Sequence, residues 1–101
     1  MPAALTAAQI RFLRGKAHDL RAILQVGGKG VSDPVIAELD GALEHHELVK
    51  VKIADDDREQ RGAIVAQLTE RSGATLVQQI GKVAVFYRPS TGKRQIVLPR
   101  A

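Results

Sequence analysis

The sequence predicts an α/β fold of the two-layer α+β kind, in the order α-β-α-β-α-β-β, with a mixed sheet of about four strands. Three observations predict it. Segments with helical apolar spacing alternate with short apolar runs, capping residues stand before each helical segment, and Gly81-Lys82 separates two strand-like runs near the end. This order implies right-handed crossovers with the helices packed mainly on one face.

Thr6-Ala7-Ala8-Gln9 has the form of a capping box, and Ile10, Leu13 and Ala17 follow at helical spacing, so a first helix is expected from about Ala7 to His18. Arg11, Arg14 and His18 share the i, i+3, i+7 spacing and form a basic stripe beside the apolar one. Ala22 to Val26 is short, apolar and followed by glycines, as a buried strand is. Ser32-Asp33-Pro34 supplies an N-cap and a first-turn proline for a second helix, whose stripe is Ile36, Leu39 and Leu43 and which ends near His46.

Leu48 to Ala54 alternates, with Val49, Val51 and Ile53 on one face and Lys50 and Lys52 on the other, the pattern of a half-exposed strand. Asp56-Asp57-Arg58-Glu59 caps a third helix carrying Ile64, Val65 and Leu68 and closed by Gly73. Thr75 to Ile80 and Val83 to Arg88 then form an antiparallel hairpin about Gly81-Lys82. Pro89-Ser90-Thr91-Gly92 breaks the pattern, and Gln95 to Leu98 is a final short apolar stretch.

A chain of 101 residues fits one domain, here taken as residues 1–101. It contains no cysteine, which excludes disulfides, thiolate metal sites and a thiol nucleophile and suits a reducing cytoplasm. No apolar run reaches the roughly 20 residues of a membrane helix, and Met1 to Leu5 has no charged leader, so a soluble, unprocessed cytoplasmic protein is expected. The net charge of +4 hides an asymmetry: residues 1–30 and 82–101 are strongly basic, whereas residues 31–81 hold most of the acids. Two basic segments brought together by folding would make a face that attracts a polyanion and weakens with salt.

Val26-Gly27-Gly28-Lys29-Gly30-Val31 is a G-x-x-G turn between a strand and a helix, with lysine at its tip. Glycine lets a backbone lie against phosphates, and the helix that follows turns its positive end toward the loop. It is not a Walker A loop, since Lys29 precedes Gly30 and Val31, and it lacks the dinucleotide fingerprint. Combined with Arg11, Arg14, His18, Lys82, Arg88, Lys93 and Arg94, the turn points to nucleic-acid backbone, with Gly27, Gly28, Lys29 and Gly30 as contact residues. Phe12, Phe86 and Tyr87 do not form an interleaved stacking platform, so phosphate and shape contacts are expected to dominate.

Catalysis is not expected. Adjacent His45 and His46 point about 100° apart on a helix and do not chelate one metal, Asp55, Asp56 and Asp57 sit where a helix N-terminus favours acid, and no triad stands out. No metal or cofactor is expected.

With these pieces assembled, the chain resembles the CRM domain family, in its bacterial stand-alone, YhbY-like form. The resemblance rests on Arg14-Gly15-Lys16-Ala17-His18, on the Val26 to Val31 turn, on Ala42 through Lys52 and on Ile80-Gly81-Lys82 leading to Tyr87-Arg88-Pro89, and it spans Leu5 to Arg100. It implies a domain shaped like the C-terminal domain of translation initiation factor three, a G-x-x-G loop serving in RNA binding, and association with large-subunit ribosomal RNA or its precursor, with ribosomal proteins as further partners. Two other readings stay open on the residues: a protein-interaction module docking a basic partner through Glu38, Asp40, Glu44 and Glu47, and a small domain binding a phosphate-bearing ligand at the glycine turn.

Overall fold

The computed structural model describes residues 5–27, 30–92 and 95–99. Seven elements follow one another: α1 (Ala7–Ala17), β1 (Ala22–Gly27), α2 (Asp33–His46), β2 (Leu48–Ala54), α3 (Arg58–Ser72), β3 (Thr75–Ile80) and β4 (Val83–Tyr87). The expected order is therefore observed, and the strands form one four-stranded sheet in the order β1-β2-β4-β3. β1 runs parallel to β2, while β4 is antiparallel to both β2 and β3, which makes the sheet mixed.

The helices begin where local chemistry satisfies their free N–H groups. Thr6 Oγ1 accepts the Gln9 N–H at 3.1 Å while Gln9 Oε1 accepts the Thr6 N–H at 3.0 Å, completing the capping box of α1. Ser32 caps α2 through the Val35 N–H, and Asp57 caps α3 through the Glu59 N–H. Gly73 ends α3 in the left-handed conformation, at φ 74°, as a C-terminal glycine commonly does.

Alternation along the central strands sorts their side chains onto two faces. Val49, Val51 and Ile53 of β2 and Ala84 and Phe86 of β4 join Leu39 and Leu43 of α2 and Ile64, Val65 and Leu68 of α3 in the larger core. Leu48 of β2 and Val85 and Tyr87 of β4 join Leu13 and Ala17 of α1 in a second cluster on the opposite face. The helices pack mainly on one face, as expected. Helices α2 and α3 share one face, but α1 covers part of the other, because β4 is apolar at consecutive positions and both of its faces need cover.

Gln95 to Leu98 is not a strand. Ile96 and Leu98 instead pack by their side chains onto the α1 cluster, and Gln9 Nε2 donates to the Pro99 carbonyl at 3.0 Å. Among the described residues no helix is long and apolar enough to cross a membrane.

Candidate nucleic-acid interface

The face carrying α1 is the basic one. Arg11, Arg14 and His18 are all exposed on one side of that helix, as their spacing predicts. Together with Lys50 of β2 they line a groove of about 730 Å³ between α1 and the sheet, walled by Gln78 and Ile80 of β3 and Val83 and Val85 of β4. Lys50 is the residue that charge counting passes over, because it lies in the acidic middle of the chain. The signal for it is the alternation of β2, which puts Lys50 and Lys52 opposite the buried Val49, Val51 and Ile53. Among the described residues, Arg11, Arg14 and Lys50 stand outside every ion pair.

Strand direction brings the end of β1 to the same end of the sheet as the hairpin turn. Gly27 pairs with Ala54, Lys52 with Val83, and the Ile53 N–H donates to the Lys82 carbonyl at 2.6 Å, so the end of β1 and the Gly81-Lys82 turn share one end of the sheet. The Gly30 N–H closes the loop by donating to the Gly27 carbonyl at 3.1 Å. Gly30 sits at φ 83°, a conformation natural to glycine, whereas Gly27 is an ordinary strand terminus. A Cβ added at either position would meet nothing within 4 Å, so neither glycine is demanded by packing inside the fold. Gly28, Lys29, Lys93 and Arg94, also expected at the interface, lie outside the described residues.

Lys82 is exposed but not free. Its ammonium lies 2.5 Å from Asp56 Oδ1, and the hydrogen bond and charge of Lys82 hold the Asp56 carboxyl below the usual carboxylate range. Such an exposed pair is weak, so Lys82 can exchange Asp56 for another anion at little cost.

Arg88 stands apart from the other cations. It is at the opposite end of the sheet, where its backbone N–H donates to the Glu47 carbonyl at 2.9 Å. Its guanidinium donates to Asp40 Oδ1 at 2.9 Å, to the Asp40 carbonyl at 3.2 Å and to the Ser72 carbonyl at 2.6 Å, tying β4 to both α2 and the end of α3. Its place in the fold is that of a half-buried clamp among the helices, away from the α1 groove.

The acids of the α2 terminus are likewise occupied. Glu47 is fully buried, and its carboxylate accepts backbone N–H groups from Ser90, Gln95 and Ile96, each at 2.7 Å. Glu44 accepts from the Ser90 and Thr91 hydroxyls and from the Thr91 and Gly92 N–H groups. These bonds, led by the Thr91 hydroxyl, lower the Glu44 pKa below its usual value. With Asp40 held by Arg88, three of the four acids offered as a docking surface are engaged by hydrogen bonds within the fold, and Glu47 among them is buried; Glu38 is exposed on α2.

The family model for the CRS1 / YhbY (CRM) domain matches residues 5–88. The chain belongs to this family. Over 96 residues it is 44% identical to a protein of Haemophilus influenzae named RNA-binding protein, covering 95% of this chain and 96% of that one. The Bacillus subtilis protein named Probable RNA-binding protein YqeI is 43% identical over 95 residues, covering 94% and 99% of the two chains. The solution structure of hypothetical protein SAV1595 from Staphylococcus aureus, described as a candidate RNA binder, superposes with a TM-score of 0.81 at 35% identity, covering 95% of this chain and all of that one. The CRM fold expected from the sequence is thus shared with a solved structure. In this CRM domain the end of β1 and the Gly81-Lys82 turn share one end of the sheet, and Arg88 stands at the other.

Proposed function

We propose that this CRM domain is a non-catalytic RNA-binding module that assists assembly of the large ribosomal subunit in the cytoplasm, holding ribosomal RNA or its precursor by the phosphate backbone. The observation that carries this reading is the α1 groove, where Arg11, Arg14, His18 and Lys50 converge without an acid partner among the described residues. Unpaired cations around a concave surface favour a polyanion. The glycine turn adds backbone that another chain can approach, since no side chain fills the space at Gly27 or Gly30. The names of the related proteins supply RNA as the polyanion, and the resemblance to YhbY-like proteins supplies the ribosomal setting.

The test measures binding to a large-subunit ribosomal RNA fragment and to duplex DNA of matched charge across a salt series, with the Arg14→Ala/Lys50→Ala variant alongside. Preference for RNA supports the reading, together with a salt slope that falls by about 0.7 to 0.9 for each phosphate the variant no longer engages. Equal binding to both polymers, unaffected by the variant, overturns it. An ATP arm addresses the phosphate-ligand alternative, and co-purification of a ribosomal protein after nuclease treatment addresses the protein-docking one.

A further inference from the structure

On the other side of α1 from the basic groove lies a second, smaller hollow of about 330 Å³. Its apolar part is made by Leu20, Ile23, Leu48 and Ile96, and three cations, Lys16, Arg21 and Lys50, stand around it. Leu20 and Ile23 are 39% and 53% exposed and stand together in the lining of the hollow, so their apolar surface there is contiguous. Lys16, Arg21 and Lys50 form none of the ion pairs found among the described residues. The nearest acid in sequence is Asp19, itself exposed on the α1–β1 connection.

An apolar floor with uncompensated positive charge around it fits a ligand that joins a flat, weakly hydrated group to flanking anions. We propose that this hollow seats a single unpaired nucleotide of the bound RNA, its base against Leu20 and Ile23 and its adjoining phosphates on Lys16, Arg21 and Lys50. The inference rests on the RNA-binding reading and gives it a structural preference that phosphate contacts alone do not supply. Two features favour a nucleotide over an acidic amphipathic helix. The volume is at the small end of ligand pockets, of order 300 to 1,000 Å³, whereas a docked helix needs a long groove with anchors over two turns. Lys50 also lines both the hollow and the larger groove, so the two sites flank α1 and share one cation.

The experiment compares an RNA stem bearing one unpaired nucleotide with a fully paired stem of equal length, using the wild-type chain and the Leu20→Ser/Ile23→Ser variant. Both side chains are exposed, so the variant keeps its fold, and its thermal midpoint is measured to confirm that. The wild type should favour the unpaired stem by about tenfold, the effect of burying on the order of 55 Å² of apolar surface against the two aliphatic side chains. The variant should lose this preference and keep its affinity for the paired stem. A 4-thiouridine at the unpaired position should cross-link to the segment from Leu20 to Ile23. Equal wild-type affinity for the two stems, a preference that survives in the variant, or a cross-link elsewhere overturns the proposal and leaves the RNA reading standing. Failure to bind either stem, with capture of an acidic amphipathic peptide instead, overturns both.

Discussion

The carboxylate of Glu47 accepts the backbone N–H of Gln95 at 2.7 Å, joining the end of α2 to a segment 48 residues further along the chain. Glu47 occupies the C-terminal cap of α2 with φ 65°, a conformation in which glycine is usual. The strained backbone is retained because glycine has no carboxylate to receive the N–H groups of Ser90, Gln95 and Ile96. Those N–H groups belong to chain that joins no sheet ladder, and without Glu47 they would need water at a buried site.

Glu47→Ala should therefore destabilise the domain by about 3 kcal/mol or more, since it orphans several charge-assisted donors at once. Glu47→Gly loses the same bonds but relieves the left-handed backbone, so it should be less harmful by about 1 kcal/mol. Chemical denaturation of the two variants checks both. A Glu47→Ala protein as stable as wild type would show that the carboxylate does not hold the C-terminal segment.

The Glu44 carboxyl is lowered by its bonds to Thr91, Ser90 and Gly92, which sets the sign of a pH effect. A group with a depressed folded-state pKa contributes stability that is present above its unfolded value and is lost as pH falls through its folded value. Wild type should lose part of its stability on acidification below the ordinary glutamate range, and Glu44→Gln should lose less over the same interval. Urea midpoints measured from neutral to acid pH compare the two. Parallel curves would remove Glu44 from the acid response.

Arg88→Ala should act on stability and leave RNA affinity nearly unchanged. The guanidinium donates to Asp40 and to the Ser72 carbonyl, so its loss should destabilise by about 2 kcal/mol. Arg14→Ala, in the exposed groove, should do the reverse, with stability within about 0.5 kcal/mol of wild type and weaker RNA binding. Thermal midpoints and binding curves for both variants decide this. A folded Arg88→Ala protein with a reduced salt slope would return Arg88 to the interface.

The two glycines of the turn should separate in the same way. Gly27→Ala meets no steric obstacle and requires no unusual φ, so it should leave stability within about 0.5 kcal/mol of wild type, and any effect on RNA binding reports close approach by RNA. Gly30→Ala places a side chain at φ 83° and should destabilise by about 1 kcal/mol before any ligand is added. Stability and RNA affinity measured for both variants give the comparison. Unchanged affinity in the folded Gly27→Ala protein would argue against backbone contact there.

Much of the fold was legible because its signals are local. The capping box at Thr6, the serine cap at Ser32, the alternation of β2 and the Gly81-Lys82 hairpin each act within a few residues, and the structure has an element at each. The groove was half legible: helical spacing put Arg11, Arg14 and His18 on one stripe, but Lys50 joins them only because β2 lies beneath α1. Arg88 shows the opposite case. Its charge suits a nucleic-acid contact, yet its neighbours across the fold, Asp40 and Ser72, engage it internally.

By itself, the sequence determined the identity and order of the elements, the membership of the chain in the CRM family and the basic stripe of α1, because periodicity, capping and motif spacing are properties of adjacent residues. Only the tertiary structure decided which face α1 covers, that the acids at the end of α2 anchor the C-terminal segment, and which cations share a surface. These depend on pairings between residues tens of positions apart. Whether a charged side chain faces solvent or a partner is settled by what the folded chain brings beside it.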